Sequence, residues 1–174
     1  FEPICRNKLI EYTPNGYRLS PSANVMSDLQ KFEKLWKQVQ KDIPIPQKVH
    51  SLKHAIKLYK GHVLGAACDD HWIVGIATDY KMKYISMVNE LLSIFAEFED
   101  YDAIHHFATQ ALNLVPENVK AQYWLVYAIY HSSAVVLAKR EIEKAKTRHT
   151  SEEFDTLQKF ICKDESLPYG QLFD

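Results

Sequence analysis

One pattern of apolar and small residues occurs twice in the second half of the chain, and the two copies are displaced by 34 residues. That displacement is the length of one helix–turn–helix unit in a common class of helical-repeat protein. Small side chains at such positions let two antiparallel helices approach closely and then stack on the next pair. The first copy comprises Leu91, Phe95, Ile104, Ala108 and Ala111, and the second comprises Leu125, Ile129, Ala138, Ile142 and Ala145.

Helical periodicity extends on both sides of this repeat. Ser27 with Gln30, and Thr150 with Glu153, have the spacing of a capping box, in which two side chains satisfy the free N–H groups at a helix start. The helix predicted after Pro116 is apolar nearly all round, so we expect it to have neighbours on several sides.

The fold class predicted is therefore all-α, with tetratricopeptide-like stacked helical hairpins over residues 23–165. An irregular tail is expected over residues 166–174. The sequence predicts β-structure only over residues 1–22, where interleaved polar and apolar residues flank Asn15-Gly16, a pair suited to a tight hairpin turn. An isolated hairpin is marginal in water, so we expect it to dock on another element.

Composition excludes several functional classes. A formal net charge of −1 gives no overall attraction to nucleic acid or anionic lipid. No apolar run approaches the roughly 20 residues of a membrane span, so no membrane partner is expected. The three cysteines lack metal-ligand spacing and indicate reduced thiols in a cytoplasmic protein. No catalytic motif is present, so we expect no enzyme activity, no cofactor and no metal.

Two local signatures resemble the same family of bacterial regulators. The segment Thr13–Leu19 reads TPNGYRL and resembles the wing and last strand of an OmpR-type winged helix. The segment Leu58–Leu64 reads LYKGHVL, has Trp72 downstream, and resembles the start of the bacterial transcriptional activator domain (BTAD). Ala77 departs from that pattern, because many members carry arginine there.

The resemblance implies a fold and a function. Residues 1–22 would be the wing of a truncated winged helix, and residues 23–165 a BTAD-like, tetratricopeptide-like domain. The chain begins with Phe1 rather than Met, and we interpret it as a fragment of a transcriptional activator. DNA would be bound through the missing upstream winged helix, and this part would mediate protein–protein contact or form a homodimer.

Two alternatives stay open at this point. One is a tetratricopeptide-like adaptor that binds a peptide or protein and has no DNA role. The other is a sensor of a small ligand, with a pocket among Tyr123, Trp124 and Tyr127.

The repeat register also predicts a concave groove for a partner. The first helix of each unit turns one face into that groove, and phenols there offer both contact area and hydrogen bonds. Packing in a closed stack would also explain the same tyrosines, and it is the more usual role of aromatic stripes at helical spacing. The candidate groove residues are Lys120, Tyr123, Tyr127, Tyr130, Ser86, Asn89 and Ser93.

Basic residues suggest two further contacts. Lys8 and Arg18 flank the hairpin and are candidates for contact with the DNA backbone, although solvent exposure alone would account for them. A basic run from Lys139 to His149 is expected either to complement the end of a helix or to contact phosphate.

Overall fold

The computed structural model describes residues 10–21, 25–61 and 71–173, and within these ranges it contains one β-hairpin followed by eight helices. The elements are β1 (Ile10–Thr13), β2 (Gly16–Leu19), α1 (Asp28–Val39), α2 (Ile45–Leu58), α3 (His71–Glu97), α4 (Tyr101–Leu114), α5 (Val119–His131), α6 (Val135–Arg148), α7 (Ser151–Lys163) and α8 (Tyr169–Phe173). The predicted class, all-α stacked helices with a short N-terminal hairpin, is confirmed.

The hairpin turn lies one residue earlier than predicted. Strands β1 and β2 are antiparallel with Thr13 opposite Gly16, so Pro14 and Asn15 occupy the turn instead of Asn15 and Gly16. Proline holds φ near −65°, which suits the first central position of a turn. Gly16 then supplies the single positive φ of this hairpin, at 122°.

The two faces of the hairpin differ sharply. On one face Arg18 binds Glu11 with an N–O distance of 3.0 Å, and Ser20 donates to the same carboxylate. The other face is apolar and remains open to solvent. Its side chains are Ile10, Tyr12, Tyr17 and Leu19, which are 59%, 75%, 80% and 59% exposed.

Helix α5 lies at the centre of the stack, as its all-round apolar character predicts. It packs against α3, α4, α6 and α7. Two clusters of buried residues meet at this helix, one formed with α1 to α4 and the other with α6 to α8. Tyr127 packs against both clusters, so α5 joins the two halves of the core.

Local sequence signals set the helix boundaries. The capping boxes of Ser27 with Gln30 and of Thr150 with Glu153 are both formed, which confirms those two helix starts. The tail was predicted wrongly, because residues 166–174 include α8. Its Leu172, together with Leu167 just before it, is buried in the second cluster.

The 34-residue repeat extends to the backbone of the turns. Glu99 and Ser133 lie 34 residues apart, and both have positive φ, at 55° and 62°. The amide of Asp100 donates to the Phe95 carbonyl at 3.0 Å, and the amide of Ala134 donates to the Ile129 carbonyl at 3.2 Å. This is the six-residue hydrogen bond of a Schellman motif, so α3–α4 and α5–α6 turn in the same way.

Positive φ at Ser133 and Glu99 predicts that glycine is favoured at both positions. A left-handed residue with a Cβ is strained and glycine is not, so Ser133→Gly is expected to raise the free energy of unfolding by about 0.5–1 kcal/mol. Glu99→Gly should act in the same direction. The measurement is urea unfolding followed by circular dichroism.

The matched control is Lys159→Gly, at an exposed position within α7. Glycine there should cost about 0.7–1 kcal/mol. Destabilisation of the fold by all three substitutions would contradict the repeated turn geometry.

Candidate partner-binding face

Three of the predicted groove residues, Tyr123, Tyr127 and Tyr130, lie on α5 and form part of an aromatic cluster. The Tyr127 ring centroid is 4.3 Å from that of His131 and 6.1 Å from that of Tyr101. The three tyrosines are half-buried. We call these three residues with His131 the tyrosine face.

The C-terminal segment, residues 164–173, lies against the tyrosine face. The hydroxyl of Tyr123 donates to the Asp164 carboxylate. That of Tyr130 donates to Oε1 of Gln171 at 3.2 Å. Nε2 of His131 is 3.3 Å from Oγ of Ser166. Two of the three tyrosines therefore hydrogen-bond to a segment of their own chain.

Asp164 is the polar centre of this contact. Its Oδ1 accepts hydrogen bonds from the Ser166 amide at 2.9 Å and from the Ser166 hydroxyl at 2.6 Å, while Tyr123 donates to Oδ2. Burial opposes ionisation of Asp164, but the hydrogen bonds from Ser166 and Tyr123 outweigh it, so its pKa lies below the usual value. Burial and the adjacent Asp164 carboxylate raise the pKa of Tyr123 well above its usual value.

Apolar contacts anchor the rest of the segment. Leu167 and Leu172 are almost completely buried. Phe173 stacks on Tyr169 at a centroid distance of 4.8 Å, and the Tyr169 hydroxyl accepts a hydrogen bond from Gln158 of α7 at 2.7 Å. The segment thus closes the end of the stack that α7 leaves open.

The remaining predicted groove residues are placed differently. Ser86 on α3 and Lys120 at the start of α5 are exposed, whereas Asn89 and Ser93 on α3 are half-buried. The Ser93 hydroxyl donates to the Glu90 carbonyl of its own helix at 2.9 Å. Within the described ranges, no hydrogen bond or ring contact joins Ser86, Asn89, Ser93 or Lys120 to the tyrosine face.

The residues proposed for a small-ligand pocket form a packed group. The Trp124 ring lies 5.0 Å from Tyr123 and 5.3 Å from Tyr127, measured between centroids. These rings pack against one another, and Nε1 of Trp124 is buried without a described hydrogen-bond partner.

Of the two candidate DNA contacts, Lys8 and Arg18, the structure describes only Arg18. Lys8 lies outside the described residues. The Arg18 guanidinium is bound by Glu11, whose pKa is lowered by the hydrogen bonds from Ser20 and Arg18. A phosphate contact by Arg18 would therefore compete with a carboxylate on the neighbouring strand.

The contact with Asp164 and Ser166 was missed in the sequence. A signal was present, since an aspartate two residues before a serine after a helix favours a local side-chain turn. Leucines at 167 and 172 were a further sign of a buried tail.

Comparison of the chain with protein-family models, curated proteins and solved structures finds no match. None of the helices in the described ranges has both the length and the apolar character needed to cross a membrane. Those ranges also contain no group of three or more histidine, cysteine, aspartate or glutamate residues arranged to hold a metal ion.

The hydrogen bonds of Asp164 predict a pH-dependent contribution to stability. A lowered pKa in the folded state means that the contribution is present above the unfolded value, near 3.9, and is lost as the pH falls through the folded value. Asp164→Asn should lower the free energy of unfolding by about 1–2 kcal/mol at neutral pH. The difference from wild type should shrink as the pH falls below the unfolded pKa and through the lower folded pKa of Asp164.

Urea unfolding across this pH range makes the measurement, with Asp155→Asn as the control. Asp155 is exposed on α7, so its replacement should change stability by less than about 0.5 kcal/mol at every pH. A pH-independent effect of Asp164→Asn would refute the assignment of Asp164 as a carboxylate stabilised by these bonds.

Proposed function

We propose that this chain is the regulatory and interaction part of a bacterial DNA-binding transcriptional activator. The observation that carries the proposal is the hairpin, whose sequence resembles the wing of a winged helix and whose apolar face stays open to solvent. A winged-helix body packed on Ile10, Tyr12, Tyr17 and Leu19 would bury that face. The BTAD-like order of hairpin, linking helices and 34-residue repeats supports the same assignment.

The proposed role is contact with macromolecules and not chemistry. Stacked helical hairpins give a rigid surface whose outer residues are free to bind partners. Tyr123 of α5 donates a hydrogen bond to the C-terminal segment at Asp164, and the other hydrogen bonds of Asp164 come from Ser166 in the same segment. A protein partner or a second copy of the chain would bind the outer surface and alter how two winged helices are placed on DNA.

A second candidate function, a peptide-binding adaptor, is favoured by one specific observation. The tyrosine face holds residues 164–173 by hydroxyl hydrogen bonds and buried leucines, which is how a helical repeat would hold a peptide in its groove. In that function the C-terminal segment would occupy the peptide site.

The first test compares DNA binding by this chain with that of the product extended upstream in its own gene by about 80 residues, the scale of a small domain. Only the extended protein is expected to bind a promoter fragment with sequence selectivity, measured by mobility shift against a scrambled duplex. Tight, sequence-selective binding by this chain alone would overturn the proposal. An upstream frame without a recognition helix would favour the adaptor.

The second test asks whether the apolar face of the hairpin packs on an upstream winged helix. In this chain Tyr12→Ser with Tyr17→Ser should change the stability of the helical stack by less than about 0.5 kcal/mol, because both rings are exposed. In the extended protein the same pair should destabilise the winged helix by about 3 kcal/mol or more, since buried aromatic rings would be lost. Thermal unfolding of both proteins gives the comparison.

The control is Val136→Ser, at an exposed position of α6, which should be neutral in both proteins. Neutrality of the tyrosine pair in the extended protein would mean that the hairpin does not pack on a DNA-binding body.

A further inference from the structure

Three lysines at the C-terminal half of α1 and just beyond its end line one open cleft. Lys34 and Lys37 lie one turn apart on α1, and Lys41 follows two residues after the helix ends at Val39. The cleft has a volume of about 590 Å³ and is also lined by Gln30 and Gln38. We call these three lysines with the two glutamines the lysine face.

The positive charge of the lysine face is not neutralised by the protein. Within the described ranges, Lys34, Lys37 and Lys41 form no ion pair and no side-chain hydrogen bond. Glu33 is the acidic residue of the cleft, and its carboxylate is paired with Lys83 of α3, which also binds Asp79 at 2.7 Å. The three ammonium groups are therefore free for an anionic ligand.

The surrounding region reinforces this charge. Residues 27–61 contain eight lysines against three acidic residues, and one of these lysines, Lys48, is paired with Glu90 of α3, while the whole chain has a formal net charge of −1. The net charge of the chain thus conceals a basic region in the first helical hairpin. Local charge of this kind, and not the net value, attracts an anionic partner at short range.

The basic run of α6 is different. Glu141 binds Lys144 at 3.0 Å and Arg148 at 3.1 Å, and Glu143 binds Lys146 at 2.6 Å. Three of the six basic residues from Lys139 to His149 are thus already paired within their own helix. The lysine face of α1 is therefore the better phosphate site of the two.

The chemistry of the cleft favours nucleic acid over a protein partner. Lysine is depleted at protein–protein interfaces, which depend on buried aromatic anchors. Phosphate backbones need only cations and hydrogen-bond donors, which the lysines and glutamines supply. The three ammonium groups line the same cleft, so they can contact about three phosphates of a backbone strand.

From these observations we infer that the lysine face of α1 binds the phosphate backbone of duplex nucleic acid, independently of base sequence. The biological role of this contact rests on the proposed function, because α1 follows the hairpin and would add backbone contacts beside the winged helix. The affinity of the lysine face for duplex nucleic acid is a property of this chain alone, so it can be measured without the extended protein.

The experiment uses the 174-residue chain and a labelled duplex of random sequence, with fluorescence anisotropy as the readout. Three phosphate contacts predict a slope of about −2.7 for log K against log salt, which is a loss of about 40-fold between about 50 and 200 mM. The variant Lys34→Gln/Lys37→Gln/Lys41→Gln should lose at least about tenfold in affinity at low salt, and its slope should fall towards zero.

The matched control is Arg140→Gln/Lys159→Gln/Lys163→Gln, which removes the same charge from exposed positions of α6 and α7. It should keep the wild-type slope and stay within about threefold in affinity. Circular dichroism of both variants establishes that the fold is intact.

Three results would overturn the inference. They are no binding by wild type at low salt, an equal loss in both triple variants, and tighter binding of poly-glutamate than of the duplex at equal charge concentration, which would indicate an acidic protein partner. Success here combined with no selective binding by the extended protein would reject the proposed function while leaving this site intact.

Discussion

Close approach of helices at buried alanines is the constraint on which the rest of this structure depends. Helix axes pack about 8–10 Å apart, and the distance follows the size of the side chains at the crossing. Small residues at the crossings therefore bring α3 to α6 together, and the 34-residue displacement repeats that spacing. The alanines that are at most 1% exposed are Ala55, Ala108, Ala111, Ala121, Ala128, Ala138 and Ala145.

A stack built in this way needs its last hairpin to be covered, and this requirement explains the C-terminal segment. Helix α7 packs on α5 and α6, while Leu167 and Leu172 fill the remaining apolar surface of the second cluster. Tyr123 and Asp164 satisfy each other's polar groups at the edge of this contact. The face best suited to a peptide is thus also the face that completes the core, so a partner there would have to replace the segment's own contacts.

The parts of the fold predicted correctly are those with local causes. Both capping boxes follow from side chains three residues apart, and the repeat and the central position of α5 follow from the apolar pattern within each helix. The turn of the β-hairpin lies one residue earlier than predicted, because Pro14 has a fixed φ that suits the first central position of a turn. This constraint outweighs the preference of Asn15-Gly16 for the two central positions. Helix α8 spans five residues, too few for periodicity to reveal it. The lysine face was recognisable only once Glu33 was seen to pair with Lys83, 50 positions further along the chain.

The lysines of the first two helices differ in whether another side chain of the protein binds them. On α2, Lys48 pairs with Glu90 at 2.5 Å, and the Lys53 ammonium lies 5.1 Å from the centroid of the Phe95 ring. Both partners belong to α3, so α3 contacts both lysines. Such partly exposed pairs contribute at most about 1 kcal/mol each, but they orient α2 against α3. Lys34, Lys37 and Lys41 make no comparable contact in the described structure, so their ammonium groups are available for the anionic ligand that we infer for the lysine face.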